Sequence, residues 1–272
     1  MGKLEEKCTQ LIEHIRTLGR VAVAFSGGVD STFLLAASLK ALGTEQVTAV
    51  TASSATLTQE ERDDAQRLAN LLGADHVVLD APEFSNPQFV ANTPERCYHC
   101  KKARFTALCD WARQENFRWI LDGSNVSDLS DYRPGMKALA ELPMVASPLL
   151  ELGWTKEEIR AASKEWNLPT WNKASAACLA SRLAYGLEIT VERLQQVEAA
   201  EAFIRRYCNE PIRVRHHGEL ARIEVTPDVI PLLAAQGVSR DITNEFHRLG
   251  FRYVTLDLAG YRSGSLNESI EK

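Results

Sequence analysis

The 272-residue chain has no long apolar run and no excess of basic residues. No stretch approaches the roughly 20 apolar residues that a membrane-spanning helix needs, and the N-terminal sequence MGKLEEKCTQ lacks the apolar core of a signal peptide. A formal net charge of -5 gives no basic footprint for sequence-independent binding to a polyanion. We therefore expect a cytoplasmic protein with no membrane partner and no nucleic-acid partner.

Cysteine is also scarce. Six cysteines in 272 residues are too few for a disulfide scaffold, and a reducing compartment keeps them as thiols. The composition, 45% hydrophobic and 25% charged, is typical of soluble globular proteins, and the length allows one large domain or two small ones. The positions of the cysteines therefore matter more than their number.

Short β-branched runs alternate with helical stretches in the first half of the chain. Residues 31–42 predict one helix, the capping box of Thr58 and Glu61 begins another, and the capping box of Thr155 and Glu158 begins a later one. This rhythm predicts an α/β fold with a doubly wound parallel sheet and right-handed crossovers. The β-branched runs are VAVAF (21–25), VTAVTA (47–52), HVVLD (76–80) and RWILDG (118–123).

The sequence changes character between residues 169 and 189. PTWNKASAACLASRLAYGLEI is rich in small residues and has no clean period, which predicts a long functional loop. After it, TVERLQQVEAAEAFIRRYC predicts an amphipathic helix, IRVRHH and ARIEV predict a hairpin, and a final helix and strand end near LDLAG. We place the domain boundary near residue 185, which gives a domain over 1–185 and a smaller C-terminal α/β domain over 186–272.

The first predicted strand runs directly into FSGGVDST, residues 25–32. A loop between a buried strand and a helix presents free backbone N–H groups and the positive end of the helix dipole, which attract an anion. Gly27 and Gly28 let phosphate oxygens approach the backbone, and Ser26 and Ser31 add hydroxyl donors. We expect this loop to bind a phosphate group.

This loop differs from a Walker loop, GxxxxGK[ST], because it has no lysine for the β and γ phosphates. Asp30 stands at its mouth instead, and an acid beside polyphosphate is repelled unless a divalent cation lies between them. The loop therefore predicts Mg²⁺ bridging Asp30 and pyrophosphate. The alternative interpretation is a glycine-bearing turn with no ligand.

Three of the cysteines lie in sequence patterns that are typical of redox or metal-binding sites. Cys97 and Cys100 form CYHC within PERCYHCKKARF, where Pro94 predicts the start of a helix and the i, i+3 spacing places both thiols on one face. Cys178 stands alone in ACLASR. Three interpretations compete for this set: a redox dithiol, although no strand precedes CxxC; a zinc site completed by His99, which would need an awkward backbone; and a three-cysteine [4Fe–4S] cluster with one open iron. For CxxC the alternative is a pair of half-buried thiols without a ligand. The other cysteines, expected to pack as small hydrophobes, are Cys8, Cys109 and Cys208.

The SGGVDS loop resembles the pyrophosphate loop of the N-type ATP pyrophosphatases, a superfamily that includes NAD synthetase, GMP synthetase, asparagine synthetase and tRNA thiolases. The resemblance implies an adenine nucleotide alpha hydrolase-like fold, cleavage of ATP between the α and β phosphates, and adenylation of a substrate oxygen. It places adenine against the end of the second strand and makes DGSN, 122–125, a nucleotide-facing turn. Both are strand ends on the crevice where open α/β sheets bind ligands. The implied ATP site is Ser26, Gly27, Gly28, Asp30, Ser31, Thr51, Ala52, Gly123 and Asn125.

Over nearly its whole length the chain resembles the LarE-type ATP-dependent sulfur transferases of nickel-pincer nucleotide biosynthesis. The motifs that carry the resemblance are SGGVDST, PERCYHCKK, DGSN, ACLASR, RVRHHGELARIEV and GYRSGSLNE. The resemblance implies an enzyme that adenylates a carboxylate of pyridinium-3,5-biscarboxylic acid mononucleotide, converts it to a thiocarboxylate, and releases AMP and pyrophosphate. It also implies a homo-oligomer, and sulfur carried on a [4Fe–4S] cluster of Cys97, Cys100 and Cys178 or donated by Cys178 itself.

Charged residues of the second half fit a nucleotide substrate. Arg213 and Arg215 alternate along a predicted strand and so point to one side, where they could hold a phosphate. Glu201 and Glu224 could meet near them and hold a second divalent ion.

The predicted catalytic group lies in ACLASR. Cys178 is the sulfur-bearing residue, Arg182 stabilises charge on the α phosphate or the adenylate, and Ser181 donates a hydrogen bond to the same groups. Two alternatives stay open at this point: a tRNA thiolase of the same superfamily, and a non-catalytic ATP-binding sensor.

Overall fold

The computed structural model describes residues 2–130, 134–174, 177–262 and 265–266. The chain divides into two compact units, one of Met1–Asn86 with Cys97–Ala176 and the other of Pro87–Arg96 with Ala177–Lys272. The boundary predicted near residue 185 thus falls inside the second unit, and the roles predicted for the two domains stay predictions. Part of the GYRSGSLNE motif, residues 263–264 and 267–268, lies outside the described residues.

Helices account for much of both units. Among the described residues no helix is both long and apolar enough to cross a membrane. Short 3₁₀ helices lie at Thr44–Gln46, Glu83–Ser85, Val126–Ser130, Leu179–Arg182 and Pro227–Val229. The α-helices, in chain order, are α1 (Lys3–Leu18), α2 (Val29–Leu42), α3 (Gln59–Leu71), α4 (Pro87–Val90), α5 (Arg96–Gln114), α6 (Pro134–Ala140), α7 (Pro148–Glu151), α8 (Lys156–Glu165), α9 (Val191–Ile204), α10 (Ile230–Ala234) and α11 (Gln236–Arg248).

A five-stranded parallel sheet organises the first unit, in the spatial order β3-β2-β1-β4-β5. This confirms the predicted α/β fold with a parallel, doubly wound sheet. The fifth strand was not predicted because two residues are too few to show a period. The strands are β1 (Val21–Ala24), β2 (Val47–Ser53), β3 (Asp75–Asp80), β4 (Trp119–Leu121) and β5 (Val145–Ala146).

The central strand β1 is buried on both faces. Val21 and Val23 pack in one hydrophobic core with Leu11 of α1 and Phe33 of α2. Ala22 packs in another core, on the α5 side. Helix α2 is also buried along most of its length, which explains why its sequence is apolar on nearly every side. The two cores fix β1, and therefore the loop that follows it.

The helix ends follow the sequence signals with two exceptions. Capping boxes are present at Thr58 for α3 and at Thr155 for α8, as predicted. Helix α2 ends before Gly43, where a left-handed helical stop is common, but Gly43 has a φ of 78° with a ψ of 169°, outside that region. Helix α5 begins at Arg96 and not at Pro94.

The second unit is a small α/β fold around a three-stranded sheet. Its strands are β6 (Arg213–His217), β7 (Leu220–Glu224) and β8 (Tyr253–Leu256). The predicted hairpin is confirmed, since β6 and β7 pair antiparallel, while β8 pairs parallel with β7. Val214 and Ile223 of the sheet share a core with Phe246 of α11.

Segment 87–96 belongs to the second unit because its polar groups bond there. Asn92 Nδ2 donates to the carbonyls of Ala184 and Leu187, both at 2.8 Å. The Arg96 guanidinium lies over the Tyr185 ring, 4.6 Å from its centroid. Because these partners are about 90 positions apart in sequence, no local sequence pattern could have predicted that segment 87–96 belongs to the second unit.

A chain of hydrogen bonds fixes the tautomer of His216 on β6. The Gly218 N–H donates to its Nδ1 (3.2 Å), so Nε2 carries the proton and donates to Gln196 Oε1 (2.9 Å). Gln196 Nε2 in turn donates to the Leu249 carbonyl (2.7 Å). Burial, with the nearby charges of Arg193 and His217, lowers the pKa of His216 from 6.5 to about 4.

The stability of the protein should therefore fall as the pH drops below 6.5. The unfolded chain takes up the His216 proton near pH 6.5 while the folded chain resists it until about pH 4, so acid favours unfolding across this window. We expect a loss on the order of 2 to 3 kcal/mol between pH 6.5 and pH 4.5, measured by urea denaturation. His216→Gln should flatten this part of the pH dependence, whereas His247→Gln, on the exposed face of α11, should not.

Candidate active site

A pocket of about 270 Å³ opens at the carboxyl ends of β1, β2 and β4. From β1 the chain moves outward to β2 and β3 on one side, and then returns to β4 on the other side of β1. The loops after β1 and β4 therefore diverge and leave a crevice between them, which is where open α/β sheets bind ligands. The topology thus places the predicted phosphate loop in a cleft.

The loop after β1 is closed by its own hydroxyl groups. The Ser26 N–H donates to Ser31 Oγ (3.3 Å), and Ser31 Oγ donates to the Gly28 carbonyl (3.3 Å). Thr32 N–H also donates to the Gly28 carbonyl (3.0 Å), as the first turn of α2 begins. The serines therefore shape the loop as well as offering hydroxyls to a ligand.

Gly27 is required at its position for two reasons. Its φ of 66° lies in the region that residues with a Cβ rarely adopt. A Cβ there would also lie 3.3 Å from Ala65 Cα and 3.3 Å from Leu68 Cδ1 of α3. The loop is thus packed directly on α3.

Gly123, after β4, is required by close packing alone. A Cβ on it would lie 3.3 Å from Asp30 Cβ and 3.3 Å from the Ser31 nitrogen. In the same turn Asp122 Oδ2 accepts from the Ser124 N–H (2.9 Å). The DGSN turn therefore lies against the phosphate loop.

The pocket brings together seven of the nine predicted ATP-site residues. The two that do not line it are Gly27, whose carbonyl faces Lys173, and Asn125, whose Oδ1 accepts from the Ser127 N–H (3.0 Å) and shapes the turn. The seven that line it are Ser26, Gly28, Asp30, Ser31, Thr51, Ala52 and Gly123.

The Thr51 hydroxyl is already engaged. It donates to the Phe25 carbonyl (2.7 Å) and lies 2.8 Å from His76 Nε2, which in turn must donate to it. Burial lowers the pKa of His76, which favours the neutral ring. His76 was not predicted; its ring bonds to the Thr51 hydroxyl, and that hydroxyl joins the end of β2 to Phe25, just before the phosphate loop.

Helix α5 supplies one wall of the pocket, which the sequence analysis missed. The α5 residues that line the pocket are Lys101, Arg104, Phe105 and Leu108. Their i, i+3, i+4, i+7 spacing is the sequence signal for one face of a helix. Lys101 Nζ lies 3.4 Å from Asp122 Oδ1.

Arg104 is anchored by an acid that is fully buried. Its Nη2 donates to Glu83 Oε1 (2.8 Å) and to Ser54 Oγ (3.0 Å), and the Glu83 side chain is 0% exposed. The guanidinium is therefore held at the pocket wall, next to the end of β2.

Two lysines from elsewhere reach the phosphate loop. Lys156 Nζ, at the start of α8, donates to Asp30 Oδ2 (2.6 Å). Lys173 Nζ donates to the Gly27 carbonyl (3.2 Å) and to Asp64 Oδ2 (2.9 Å). Hydrogen bonds from Arg67 and Lys173 lower the pKa of Asp64. The phosphate loop has no lysine of its own, but lysine side chains from distant positions in the sequence contact it.

The predicted sulfur residues fall in different units. Cys97 and Cys100 lie in the first turn of α5, with Cys97 exposed and Cys100 half-buried, while Cys178 belongs to the second unit. Among the described residues no three His, Cys, Asp or Glu side chains form a metal-binding group. The cluster and the second divalent ion therefore stay predictions.

In the second unit, Arg182 pairs with Glu201 in a buried, bidentate ion pair. Arg182 Nε lies 3.0 Å from Glu201 Oε1 and Nη2 lies 3.1 Å from Oε2, and both side chains are 5% exposed. Arg182 Nη1 donates to the Cys178 carbonyl (3.0 Å), and Ser181 Oγ donates to the same carbonyl (2.7 Å). Arg182 and Ser181 therefore hold the turn that carries Cys178.

Arg215 and Arg213 have different surroundings. Arg215 donates to Glu224 Oε2 from Nε (3.0 Å) and Nη2 (2.8 Å), and to Ser265 Oγ (3.0 Å). Arg213 makes no ion pair with any residue that the structure describes, and lies over the Tyr261 ring at 5.4 Å. Burial, then the positive charge of Arg182, lowers the pKa of Arg213. An anion near Arg213 would therefore be attracted.

The parallel sheet, the SGGVDS loop and the pocket at its switch point together define an N-type ATP pyrophosphatase. In agreement, residues 9–110 match the asparagine synthase family. The chain is 39% identical, over 274 residues, to pyridinium-3,5-bisthiocarboxylic acid mononucleotide synthase of Lactiplantibacillus plantarum, which covers 100% of this chain and 98% of that protein. The chain belongs to the family of that synthase, the LarE-type sulfur transferases.

Two other relatives differ in how much of the chain they match. An uncharacterized protein of Synechocystis sp. is 41% identical over 269 residues, 99% of this chain and 100% of its own length. The tRNA-specific 2-thiouridylase MnmA of Desulforamulus reducens is 31% identical over only 195 residues, 57% of this chain and 52% of its own. The similarity to the tRNA-modifying enzyme is thus partial, whereas the similarity to the mononucleotide synthase spans the chain.

Replacing Arg182 should destabilise the protein strongly. Arg182→Met leaves Glu201 buried without its partner, which typically costs about 3–5 kcal/mol, and we expect that loss in urea denaturation. Arg182→Met combined with Glu201→Met should recover part of it, because two apolar side chains replace the ion pair while the Val214 N–H loses Glu201 Oε1 as its acceptor (3.1 Å). Arg205→Met, at an exposed position after α9, is the matched control. A single Arg182 variant as stable as this control would contradict the assigned role of the pair.

Proposed function

We propose that this protein is an ATP-dependent sulfur transferase acting on pyridinium-3,5-biscarboxylic acid mononucleotide. It adenylates a substrate carboxylate, releases pyrophosphate, and replaces the adenylate with sulfur to give a thiocarboxylate and AMP. The observation that carries the proposal is the double role of α5, whose first turn bears Cys97 and Cys100 and whose next turns line the nucleotide pocket with Lys101 and Arg104. Family membership supports the choice of substrate.

ATP occupies the pocket after β1 in this proposal. The phosphate loop, Ser26–Ser31, holds the diphosphate through backbone N–H groups and hydroxyls, and the ends of β2 and β4 hold the nucleoside. Thr51 contributes its methyl face, since its hydroxyl is engaged with Phe25 and His76.

Magnesium fits the oxygen donors of this pocket. Mg²⁺ is usually bound by one or two carboxylates together with substrate phosphates, and Asp30 offers such a carboxylate at the mouth of the loop. When bound, the ion would neutralise charge on the departing pyrophosphate. We assign Asp30 as its protein ligand.

The sulfur route has two forms, both resting on named cysteines. In the first, Cys97, Cys100 and Cys178 would hold a [4Fe–4S] cluster, which would supply the transferable sulfide. The donor set fits in part, because Cys97 and Cys100 are both accessible on one helical turn. In the second, Cys178 gives up its own sulfur and becomes dehydroalanine. We favour the cluster route because this chain has all three cysteines.

The substrate phosphate is assigned to Arg213 and Arg215. Arg213 supports this assignment best, because its guanidinium has no carboxylate partner among the described residues. Glu201 and Glu224 are assigned to a second divalent ion, and each would have to release an arginine to bind it. Arg182 and Ser181 are assigned to the adenylated carboxylate, in addition to holding the Cys178 turn. We also propose a homo-oligomer located in the cytoplasm.

The second candidate function is tRNA thiolation, which the partial similarity to MnmA favours. The net charge of -5 argues against a tRNA substrate.

The proposed activity is tested by measuring AMP and pyrophosphate with the pyridinium mononucleotide and, separately, with tRNA. We expect release with the mononucleotide and a fall of about 10²-fold or more in Asp30→Asn, because the metal that would neutralise the departing diphosphate loses its protein ligand. Asp110→Asn, on the exposed face of α5, should behave as wild type. Stimulation by tRNA alone would favour the thiolase, and ATP binding without pyrophosphate release would indicate a sensor.

The sulfur donor is decided by anaerobic purification with iron and sulfide quantification. We expect brown protein whose absorbance is lost in Cys97→Ala and retained in Cys208→Ala. If Cys178 is sacrificed instead, the intact mass should fall by roughly 34 Da after turnover, the loss of one H₂S. Colourless protein that keeps its mass would contradict both routes.

A further inference from the structure

One buried acid organises the wall of the nucleotide pocket beside the end of β2. Glu83, in the 3₁₀ helix Glu83–Ser85, is 0% exposed and is not among the residues that line the pocket. Its Oε1 accepts from Arg104 Nε (3.2 Å) and Nη2 (2.8 Å), and also from the Ser54 hydroxyl. Its Oε2 is buried without a hydrogen-bond partner among the described residues. The carboxylate therefore depends on Arg104 to balance its charge.

Arg104 is also held by the loop that follows β2. Its Nη2 donates to Ser54 Oγ (3.0 Å) and to the Thr56 hydroxyl, and these two hydroxyl oxygens lie 2.9 Å apart. Thr56 is buried, whereas the Arg104 side chain is 19% exposed and lines the pocket. A guanidinium fixed by buried oxygens therefore forms part of the pocket surface.

The position of Arg104 along α5 separates it from the phosphate end of the pocket. Lys101, about one turn earlier, lies beside Asp122 in the turn that packs on the phosphate loop. Arg104 lies instead beside the end of β2, where lining residues from β2 and α5 belong to one hydrophobic cluster. An apolar surface suits the base of a nucleotide better than its phosphates. The clustered lining residues are Val50, Ala52, Phe105 and Leu108.

The charge of Arg104 is already balanced, and this decides what it can offer a ligand. Because Glu83 is fully buried, releasing its arginine to a phosphate would leave an uncompensated charge in the interior. A balanced guanidinium still offers its planar face, which stacks on aromatic rings. Adenine is such a ring, and it carries no charge that would need a partner.

We propose that Arg104 is a nucleobase-contacting residue whose guanidinium stacks on the adenine of ATP, and that Glu83 is the positioning residue that holds it there. Glu83 acts through Arg104 and does not contact the nucleotide. The proposal rests on the ATP-cleaving function proposed above, and it names the side chain that contacts the base.

The test compares the binding of two ligands by calorimetry in the presence of Mg²⁺. One is α,β-methylene-ATP, which cannot be cleaved between the α and β phosphates, and the other is inorganic tripolyphosphate, which has no nucleoside. The double variant Glu83→Gln with Arg104→Met keeps the net charge of wild type and leaves no buried acid unpaired. We expect it to bind the ATP analogue about tenfold more weakly, because one stacking contact is lost, and to bind tripolyphosphate unchanged. Equal weakening of both ligands would show that the pair only maintains the pocket, and would overturn the proposal.

Two single variants separate the planar face of Arg104 from its charge. Arg104→Lys keeps the charge without the plane, so its preference for the ATP analogue over tripolyphosphate should fall about as far as in the double variant. Glu83→Gln leaves the guanidinium unbalanced and less fixed, so tripolyphosphate should bind about threefold more tightly while the preference for the analogue falls. Arg113→Met, at an exposed position of α5, is the matched control and should change neither affinity. An Arg104→Lys variant with the preference of wild type would overturn the proposal.

A change of base distinguishes contact with adenine from contact with ribose. α,β-Methylene-CTP has the same ribose and phosphates as the ATP analogue and a smaller base. Wild type should bind the adenine analogue more tightly than the cytosine analogue, and Arg104→Lys should narrow this difference. A difference that Arg104→Lys leaves undiminished contradicts the assignment to the base.

These binding measurements need no sulfur acceptor, so they separate the role of Arg104 from the proposed activity. Wild-type protein that does not bind the ATP analogue would overturn both. Wild-type protein that binds the analogue, with no change of preference in any Arg104 or Glu83 variant, would overturn the role of Arg104 alone.

Discussion

The burial of β1 on both faces is the constraint on which the first unit depends. Because alternate residues of this strand enter two different cores, the strand cannot shift register or tilt without opening one of them. The loop that follows β1 is thereby fixed. The chain places β2 and β3 on one side of β1 and β4 on the other, which leaves a crevice beside this loop. Gly27 and Gly123 then allow α3 and the DGSN turn to approach that loop closely. The nucleotide pocket is thus a consequence of sheet topology and packing.

Charge at the pocket follows a second rule: acids there are neutralised by cations from distant parts of the chain. Asp30 has Lys156, Asp122 has Lys101, and the buried Glu83 has Arg104. Of these, the Asp30–Lys156 pair is partly exposed on both sides, so a new anion or cation can replace either partner at low cost, whereas the fully buried Glu83 keeps its arginine in place. The pocket is therefore ready to accept a ligand that carries charges of both signs, such as a metal polyphosphate.

The second unit uses ion pairs differently. Arg182 with Glu201 and Arg215 with Glu224 are almost fully buried, where breaking a pair leaves an uncompensated charge. They hold the turn of Cys178 and the β6–β7 hairpin in one arrangement. Arg213, in contrast, makes no ion pair with a described residue, and burial lowers the pKa of its guanidinium, so an anion beside it would be stabilising.

The sequence alone determined many of the features that depend on neighbouring residues. The strand runs, the two capping boxes, the phosphate loop and the CxxC turn all arise from local periodicity and backbone chemistry, and the structure has them where the sequence predicted them. Tertiary structure decided what depends on contacts between distant residues. Lys156 meets Asp30 across 126 positions, Asn92 joins the second unit across 92, and the stripe of Lys101 and Arg104 on α5 faces the pocket only because its apolar neighbours pack on the sheet. Pairing between distant charges leaves no periodic signal along the chain, since only the folded backbone brings them within reach.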